Sequence, residues 1–407
     1  MKLAANNDLH LTYCTNIHPG ESWSEVKNNL QQYIPQLKTR LAPDQPFGIG
    51  LRLADIAARE LLEGDNLTQL QTWLKEQNLY VFTLNGFPYG GFHHQVVKDR
   101  VYAPDWSKKE RLDYTLRLIQ ILVTLLPDNL DGGISTVPLS YKPWWQNDQS
   151  KKTVFHQSTV HLAQIVATLA AIAQDTGKLL HLDLEPEPDG MLENTSEMID
   201  FFQNWLFPIA GTWLQQELGV NQQTAETLIT EHIRVCYDTC HFAIEYEEPQ
   251  EIIQHFQEAG IKIGKIQLSS AIKIDIPSNI EQRQLILEKL TPFAESTYLH
   301  QVIARNCDRT LHRYSDLATA LPHLLTTQAQ EWRTHFHVPL FIRNYQLFES
   351  TQEHIVQLLR LLPDNFVGHH LEIETYTWEV LPPEMKLDIL TSIEREYQWV
   401  LSLNIEH

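Results

Sequence analysis

Cysteine and basic residues are scarce in this sequence. Four cysteines occur among 407 residues, at Cys14, Cys236, Cys240 and Cys307. They are too few for a disulfide framework and suit a reducing compartment. Only 31 Lys and Arg residues stand against 51 Asp and Glu residues, which gives a formal net charge of -20. Because that charge repels phosphate backbones and anionic surfaces, we do not expect nucleic acid as the main partner.

Long apolar runs and several familiar motifs are also absent. No run approaches the ~20 apolar residues that a membrane span requires. The opening segment, MKLAANNDLHLTYCTN, has no apolar stretch long enough for a signal peptide, and we expect a cytoplasmic protein. The sequence has no Gly-rich phosphate loop, no G-x-S-x-G elbow and no dinucleotide fingerprint. It therefore does not indicate the chemistry that depends on those motifs.

A regular alternation of short β-rich runs with longer amphipathic runs is present instead. That pattern is typical of βα units around a parallel sheet, and 43% hydrophobic residues can fill its core. We predict a single domain over 1–407, a (β/α)₈ TIM barrel whose surplus length lies in loops. The predicted barrel strands are 9–16, 47–53, 79–87, 134–140, 179–188, 234–242, 262–271 and 369–378.

One stretch does not fit the simple count. Roughly a hundred residues separate the seventh predicted strand from the last. They contain a predicted helix at 278–296, a hairpin pattern after residue 298, a strand-like run THFHVPLF at 334–341, and a helix at 350–362. We interpret 298–345 as an insertion before the last strand, and a nine-strand count is the alternative.

Carboxylates follow three of the predicted strands. Glu185 ends the fifth strand, Asp238 the sixth and Glu374 the last. The carboxyl ends of the strands form the active-site face of a TIM barrel, and carboxylates that converge there repel one another unless a cation neutralises them. Taken singly, these residues have ordinary explanations. Glu185 could belong to a stiff Glu-Pro-Glu-Pro turn, and Asp238 could be a helix N-cap. Their shared position favours a divalent-metal site.

The same residues carry a resemblance to a known superfamily. The Asp238-x-x-His241 turn, with Glu185 one strand earlier and Glu374 on the last strand, resembles the xylose-isomerase-like barrels. These include sugar isomerases, ketose 3-epimerases, inosose dehydratases and the endonuclease IV type of DNA-repair enzyme. Over nearly the whole chain, the runs YCTNIHPGESW, LEPEPDG, CYDTCH, THFHVPLF and LEIETYTW resemble the EboE family, sugar-phosphate isomerase/epimerase-like proteins of a bacterial cluster linked to metabolite export.

The resemblance implies a ligand set for a divalent ion, and mixed oxygen and imidazole ligands indicate Mn²⁺ or Zn²⁺. Glu185, Asp238 and Glu374 match the carboxylate ligands. The superfamily's histidine on strand seven is replaced here by Gln267. His337, or His335 on the same strand face, could supply the imidazole instead, and Gln267 could ligate more weakly through its carbonyl oxygen.

Further candidates lie near the same face. His241 could bind either metal or substrate, and Glu187 shares a side with Glu185 by strand alternation. His18, Arg52 and Asn85 follow or end the first three strands and could bind substrate hydroxyls or a phosphate. A loop histidine and an ion-pair arginine are the alternative interpretations of His18 and Arg52.

Three functions fit these patterns. The first is a metal-dependent isomerase or epimerase of a polyol, sugar or sugar phosphate, in which Glu185 and Glu374 remove and return a proton. The second is phosphodiester hydrolysis of the endonuclease IV kind, which the acidic charge disfavours. The third is a binding or carrier barrel without turnover, which the missing strand-seven histidine favours.

Overall fold

The computed structural model describes residues 1–3, 9–93, 95–345, 347–365, 368–379 and 388–403. Its centre is a sheet of eight parallel strands, in the order β1-β14-β7-β6-β5-β4-β3-β2. The edge strands β1 and β2 meet at a parallel bridge between Cys14 and Gly50, so the barrel is nearly closed. The barrel strands, numbered along the chain, are β1 (His10–Tyr13), β2 (Phe47–Arg52), β3 (Leu79–Asn85), β4 (Gly132–Thr136), β5 (Leu180–Leu184), β6 (Ile233–Asp238), β7 (Ile263–Leu268) and β14 (His370–Ile373).

The predicted (β/α)₈ barrel is therefore confirmed, with eight parallel strands rather than nine among the described residues. The predicted strands run too far at their carboxyl ends. Strand six, predicted to reach residue 242, stops at Asp238, and a short helix begins at Thr239. All six residues of that helix are buried, so its sequence has no polar face from which a helical period could be detected.

Helices surround the sheet. The first begins with a capping box, in which Ser22 and Glu25 satisfy each other's backbone N–H groups. No helix within the described ranges is long and apolar enough to cross a membrane. The helices are α1 (Trp23–Leu41), α2 (Asp55–Leu61), α3 (Asn66–Glu76), α4 (Lys109–Leu125), α5 (Asp148–Thr176), α6 (Thr195–Phe201) with a π-helical continuation (Phe202–Ala210), α7 (Gly211–Leu218), α8 (Gln222–His232), α9 (Thr239–Ile244), α10 (Pro249–Glu258), α11 (Ile280–Leu290), α12 (Leu317–Ala320), α13 (Gln352–Asn365) and α14 (Ile389–Ser402).

The segment between β7 and β14 forms a second, antiparallel sheet of six strands, in the order β10-β9-β11-β8-β13-β12. This sheet begins immediately after β7, well before residue 298. Only the start of the THFHVPLF run is a strand, and the chain continues extended through His335 and His337 without ladder pairing. The strands are β8 (Ile272–Asp275), β9 (Val302–Arg305), β10 (Leu311–Tyr314), β11 (Glu331–Thr334), β12 (Asn344–Tyr345) and β13 (Phe348–Ser350).

The extended segment after β11 lies against the carboxyl ends of the barrel strands. Val338 N donates to the carbonyl oxygen of Ser270, just past β7, at 2.9 Å. Thr377 Oγ1, just past β14, donates to the carbonyl oxygen of His337 at 2.6 Å. These contacts hold both histidines of the segment beside the barrel mouth.

The barrel interior is unusually polar. On β5 the leucines 180, 182 and 184 are fully buried, as expected for a parallel strand covered by helices, while His181 and Asp183 alternate with them. Lys265 on β7 and Glu372 on β14 form a fully buried ion pair. Buried charges require such partners, and Lys265 and Glu372 supply them to each other.

Candidate metal centre

Three carboxylates converge where the strands end. Glu185 directly follows β5, Asp238 is the last residue of β6, and Glu374 directly follows β14. Their ligand oxygens all lie within 4.8 Å of one another, and no residue of the three is more than 4% exposed. The parallel sheet brings them together because the carboxyl ends of its strands share one face.

The electrostatics of this triad require compensation. Burial and the neighbouring carboxylates raise the pKa of Glu185 and of Glu374 well above the ordinary value. Burial also acts on Asp238, but its pKa stays below the ordinary value because the Ser269 hydroxyl and the His241 backbone N–H donate to Oδ1. Buried oxygens of Glu185 (Oε2) and Asp238 (Oδ2) have no hydrogen-bond partner. A divalent cation would satisfy both the excess negative charge and these oxygens.

Three imidazoles face the triad in one fixed orientation. His241 Nδ1 lies 3.0 Å from the carbonyl oxygen of Pro186. His335 Nδ1 lies 2.8 Å from Gln301 Oε1, and His337 Nδ1 lies 2.8 Å from the carbonyl oxygen of Glu374. These oxygens only accept, so each Nδ1 carries the proton and each neutral ring presents an unprotonated Nε2. Locking a histidine through its second nitrogen in this way is typical of metal ligands.

The three Nε2 atoms point at one another. His335 Nε2 lies 3.2 Å from His241 Nε2 and 3.3 Å from His337 Nε2. Burial holds the pKa of all three rings below the ordinary histidine value, to about 4 for His241, so the rings are neutral. Lone pairs at this separation repel, yet about 3.3 Å is the spacing expected between nitrogen ligands around a tetrahedral ion at 2.0–2.1 Å. Each of these two pairs of Nε2 atoms therefore also fits a cation, although none of the described ligand groups within 4.8 Å contains all three rings.

The ligand groups form overlapping sets. Asp238, His241 and His337 form one cluster, and Glu187, His241 and His335 form another, each within 4.8 Å. Glu187 is buried, its Oε1 has no hydrogen-bond partner, and burial raises its pKa to about 8. The carboxylate triad and the imidazoles are thus joined through Asp238.

The other sequence candidates occupy different positions. Asn85 Nδ2 donates to Glu374 Oε1 at 2.9 Å, so it orients that carboxylate. Gln267 Oε1 accepts from Cys236 Sγ at 2.6 Å, inside the barrel. His18 stacks on Tyr33 at 4.2 Å between ring centroids. Arg52 donates to the carbonyl oxygen of Gly20 and pairs with Glu21 at 3.2 Å. Neither His18 nor Arg52 lines the cavity over the triad.

That cavity is narrow, about 60 Å³. Phe92, Tyr298 and Tyr376 form one wall, with ring centroids 5.2–5.3 Å apart, and Tyr376 also lies 4.6 Å from the His337 ring. Glu185, Glu187 and Glu374 line the same cavity. Aromatic rings together with carboxylates suit a small polyhydroxylated ligand, which offers both hydroxyls and C–H faces.

Several residues of the site were not identified from the sequence. Asn16 Nδ2 donates to Glu374 Oε1 at 2.8 Å, Gln301 fixes His335, and Tyr298 and Tyr376 line the cavity. Asn16 is separated from Glu374 by 358 residues in the chain. Its position at the end of the predicted first strand was the one available signal, since that position faces the barrel mouth.

Comparison with solved structures identifies the fold. A xylose isomerase-like TIM barrel protein from Mycobacterium smegmatis, in complex with magnesium, aligns over 98% of each chain with a TM-score of 0.51 and 10% identity. A D-tagatose 3-epimerase-like protein aligns over 98% of this chain and 100% of its own, with a TM-score of 0.47 and 10% identity. The IolI protein with a zinc atom aligns over 98% of each chain, with a TM-score of 0.45 and 11% identity. No family model and no curated protein matches. The chain has the xylose isomerase-like TIM-barrel fold.

Proposed function

We propose that this protein is a metal-dependent isomerase or epimerase of a sugar or polyol. The observation that carries the proposal is the convergence of Glu185, Asp238 and Glu374 with the unprotonated Nε2 of His337 at the barrel mouth. Buried oxygens without partners and raised carboxyl pKa values support a cation there. The mixture of oxygen and imidazole donors suits Mn²⁺ or Zn²⁺.

The proposed ligands of the ion are Glu185, Asp238, Glu374 and His337. His337 Nε2 lies 4.0 Å from Asp238 Oδ2, a separation that two ligands of one ion can have. When bound, the ion would polarise neighbouring substrate oxygens and make the adjoining C–H bond more acidic. His241, His335 and Glu187 form the adjoining ligand set and take either a second ion or substrate oxygens.

Glu185 and Glu374 are the proposed proton-transfer pair. Both carboxylates line the cavity in which a substrate would bind, which is the position that general acid–base catalysis requires. Asn16 and Asn85 both donate to Glu374 Oε1, which fixes the carboxylate and leaves Oε2 to face the cavity contents. In an epimerisation, one glutamate would remove a proton from carbon and the other would deliver one to it.

The narrower proposal is a sugar-phosphate isomerase or epimerase of the EboE type, acting in metabolite traffic in the cytoplasm. It rests on the five sequence runs quoted above. Lys98 lines the cavity and would have to exchange its ion pair with Asp316, at 2.6 Å, for a phosphate.

Solvent-deuterium exchange tests the proposal without knowledge of the full reaction. Metal-loaded protein should introduce deuterium next to the carbonyl of at least one member of a panel of ketoses, ketose phosphates and inososes, detected by NMR. Glu185→Gln and Glu374→Gln should each abolish exchange while the exposed control Glu217→Gln retains it. A folded, metal-loaded protein that exchanges no panel member would contradict the proposal.

One observation favours a second candidate. Three converging imidazoles beside three carboxylates make the histidine-rich cluster that phosphodiester hydrolysis of the endonuclease IV kind needs. The net charge of -20 and the narrow cavity weigh against duplex DNA. Metal-dependent hydrolysis of bis-p-nitrophenyl phosphate, lost in both His241→Gln and His335→Gln, would favour this candidate over the first.

A further inference from the structure

A second cluster of metal-ligating groups lies at the opposite end of the barrel. Asp131 immediately precedes β4, His181 is on β5 and His370 begins β14, and their ligand atoms all lie within 4.8 Å of one another. His181 and His370 precede Glu185 and Glu374 by four residues on the same strands, or about 13 Å at 3.3 Å per residue. The cluster therefore belongs to the amino-terminal mouth and is separate from the proposed active site.

His181 is oriented as a metal-binding histidine would be. Its Nδ1 lies 2.7 Å from Asp183 Oδ1, an arrangement that fixes the tautomer and makes the other nitrogen more basic. Its Nε2 is fully buried, has no hydrogen-bond partner, and lies 3.5 Å from Asp131 Oδ2.

The contacts of the Asp131 carboxylate are long for charge-assisted hydrogen bonds, and His370 Nε2 also lies 3.1 Å from the Asp131 carbonyl oxygen. His370 Nε2 and His369 Nδ1 lie 3.3 and 3.4 Å from Asp131 Oδ1. Charge-assisted N–H···O bonds are about 2.7–2.9 Å long, whereas ligand atoms around a tetrahedral zinc ion are about 3.3 Å apart. Arg234 Nη1 lies 3.4 Å from Asp131 Oδ2 and adds positive charge beside the carboxylate.

Glycines make room for the imidazoles inside the barrel. A Cβ on Gly133 would lie 2.7 Å from His181 Cε1 and 2.9 Å from His370 Nδ1. A Cβ on Gly264 would lie 2.6 Å from His181 Nδ1. All three separations are shorter than real Cβ atoms show, so another residue at either position would force the histidines to shift. An ion could enter through a groove of about 940 Å³ that Asp131 and His369 line.

We propose that a divalent transition-metal ion, zinc by its donor set, binds at the amino-terminal mouth through Asp131, His181 and His370. Nitrogen and carboxylate donors in this number suit a tetrahedral zinc site. The ion ties β14 to β4 and β5 across the barrel interior, so its role is structural. This site does not depend on the proposed function.

Metal stoichiometry of the full-length protein tests the site. After dialysis against zinc, the Asp131→Asn variant should contain one equivalent of zinc less than the wild type, as measured by elemental analysis. Zinc should also raise the melting temperature of the variant less than that of the wild type. The control Asp128→Asn, whose side chain is 98% exposed, should keep the wild-type content. Equal zinc content in Asp131→Asn and wild type would overturn the proposal.

The two ends of the barrel are distinguishable in this experiment. If the active-site proposal alone failed, wild type would bind one zinc and Asp131→Asn none. If Asp131→Asn did not fold, zinc-edge anomalous diffraction from wild-type crystals soaked in zinc would decide. A peak between Asp131, His181 and His370 is expected, and a map without one there would overturn the proposal.

Discussion

Breaking the ion pair inside the barrel should destabilise the protein strongly. In Glu372→Gln, the Lys265 ammonium would lose its anionic partner and keep only neutral acceptors, which are Ser135 Oγ at 3.2 Å and the new side-chain amide. Both partners are fully buried, and although burial opposes the charged form, Glu372 raises the pKa of Lys265 above its ordinary value. Removing one partner of such a pair leaves an uncompensated charge and costs about 3–5 kcal/mol.

The double variant identifies the cause of that loss. Lys265→Met combined with Glu372→Gln removes the stranded ammonium, and we expect it to recover about 1–3 kcal/mol relative to the sum of the single variants. Urea unfolding and calorimetry measure both effects. Lys273→Met, which breaks a half-exposed pair with Glu349 at 3.1 Å, is the control and should cost less than about 1 kcal/mol. The reasoning is refuted if Glu372→Gln costs no more than this control, or if the two interior substitutions are additive.

Three further predictions follow from the site and its surroundings. His337→Gln should lower bound metal at least tenfold with the fold intact, by elemental analysis, while the exposed control His312→Gln should not; unchanged occupancy would remove His337 from the site. Burial raises the pKa of Glu396 to about 8 from 4.5. The folded protein therefore holds a proton that the unfolded chain releases, and stability should fall as pH rises from 4.5 to 8, by at most about 5 kcal/mol. Glu396→Gln should flatten that dependence of melting temperature on pH, and an unchanged slope would contradict the assignment. Abasic duplex DNA should bind negligibly at physiological salt, and tight, salt-sensitive binding would reverse the ranking of the two proposed activities.

The carboxylate triad could be predicted from the sequence because the barrel has a simple geometric rule. Each of Glu185, Asp238 and Glu374 ends an apolar run, and the carboxyl ends of parallel strands share one face. Their mutual proximity therefore follows from the fold class alone. The same alternation indicated that Glu187 lies on the side of Glu185, and the structure places both in the cavity wall.

The imidazoles could not be positioned in the same way. His335 and His337 reach the barrel mouth on an extended segment after β11, in a sheet that does not belong to the barrel. Their approach depends on long-range contacts such as that between Val338 and Ser270, which no local pattern encodes. The same holds for Asn16 and its contact with Glu374.

Anomalous diffraction at the manganese and zinc edges tests the central claim most directly. Crystals of protein prepared without chelator and loaded with either metal should show a peak within about 2.0–2.6 Å of carboxylate oxygens from Glu185, Asp238 and Glu374. If these residues surround no peak in metal-loaded crystals, the carboxylate triad is not a metal centre and the account of the active site is wrong.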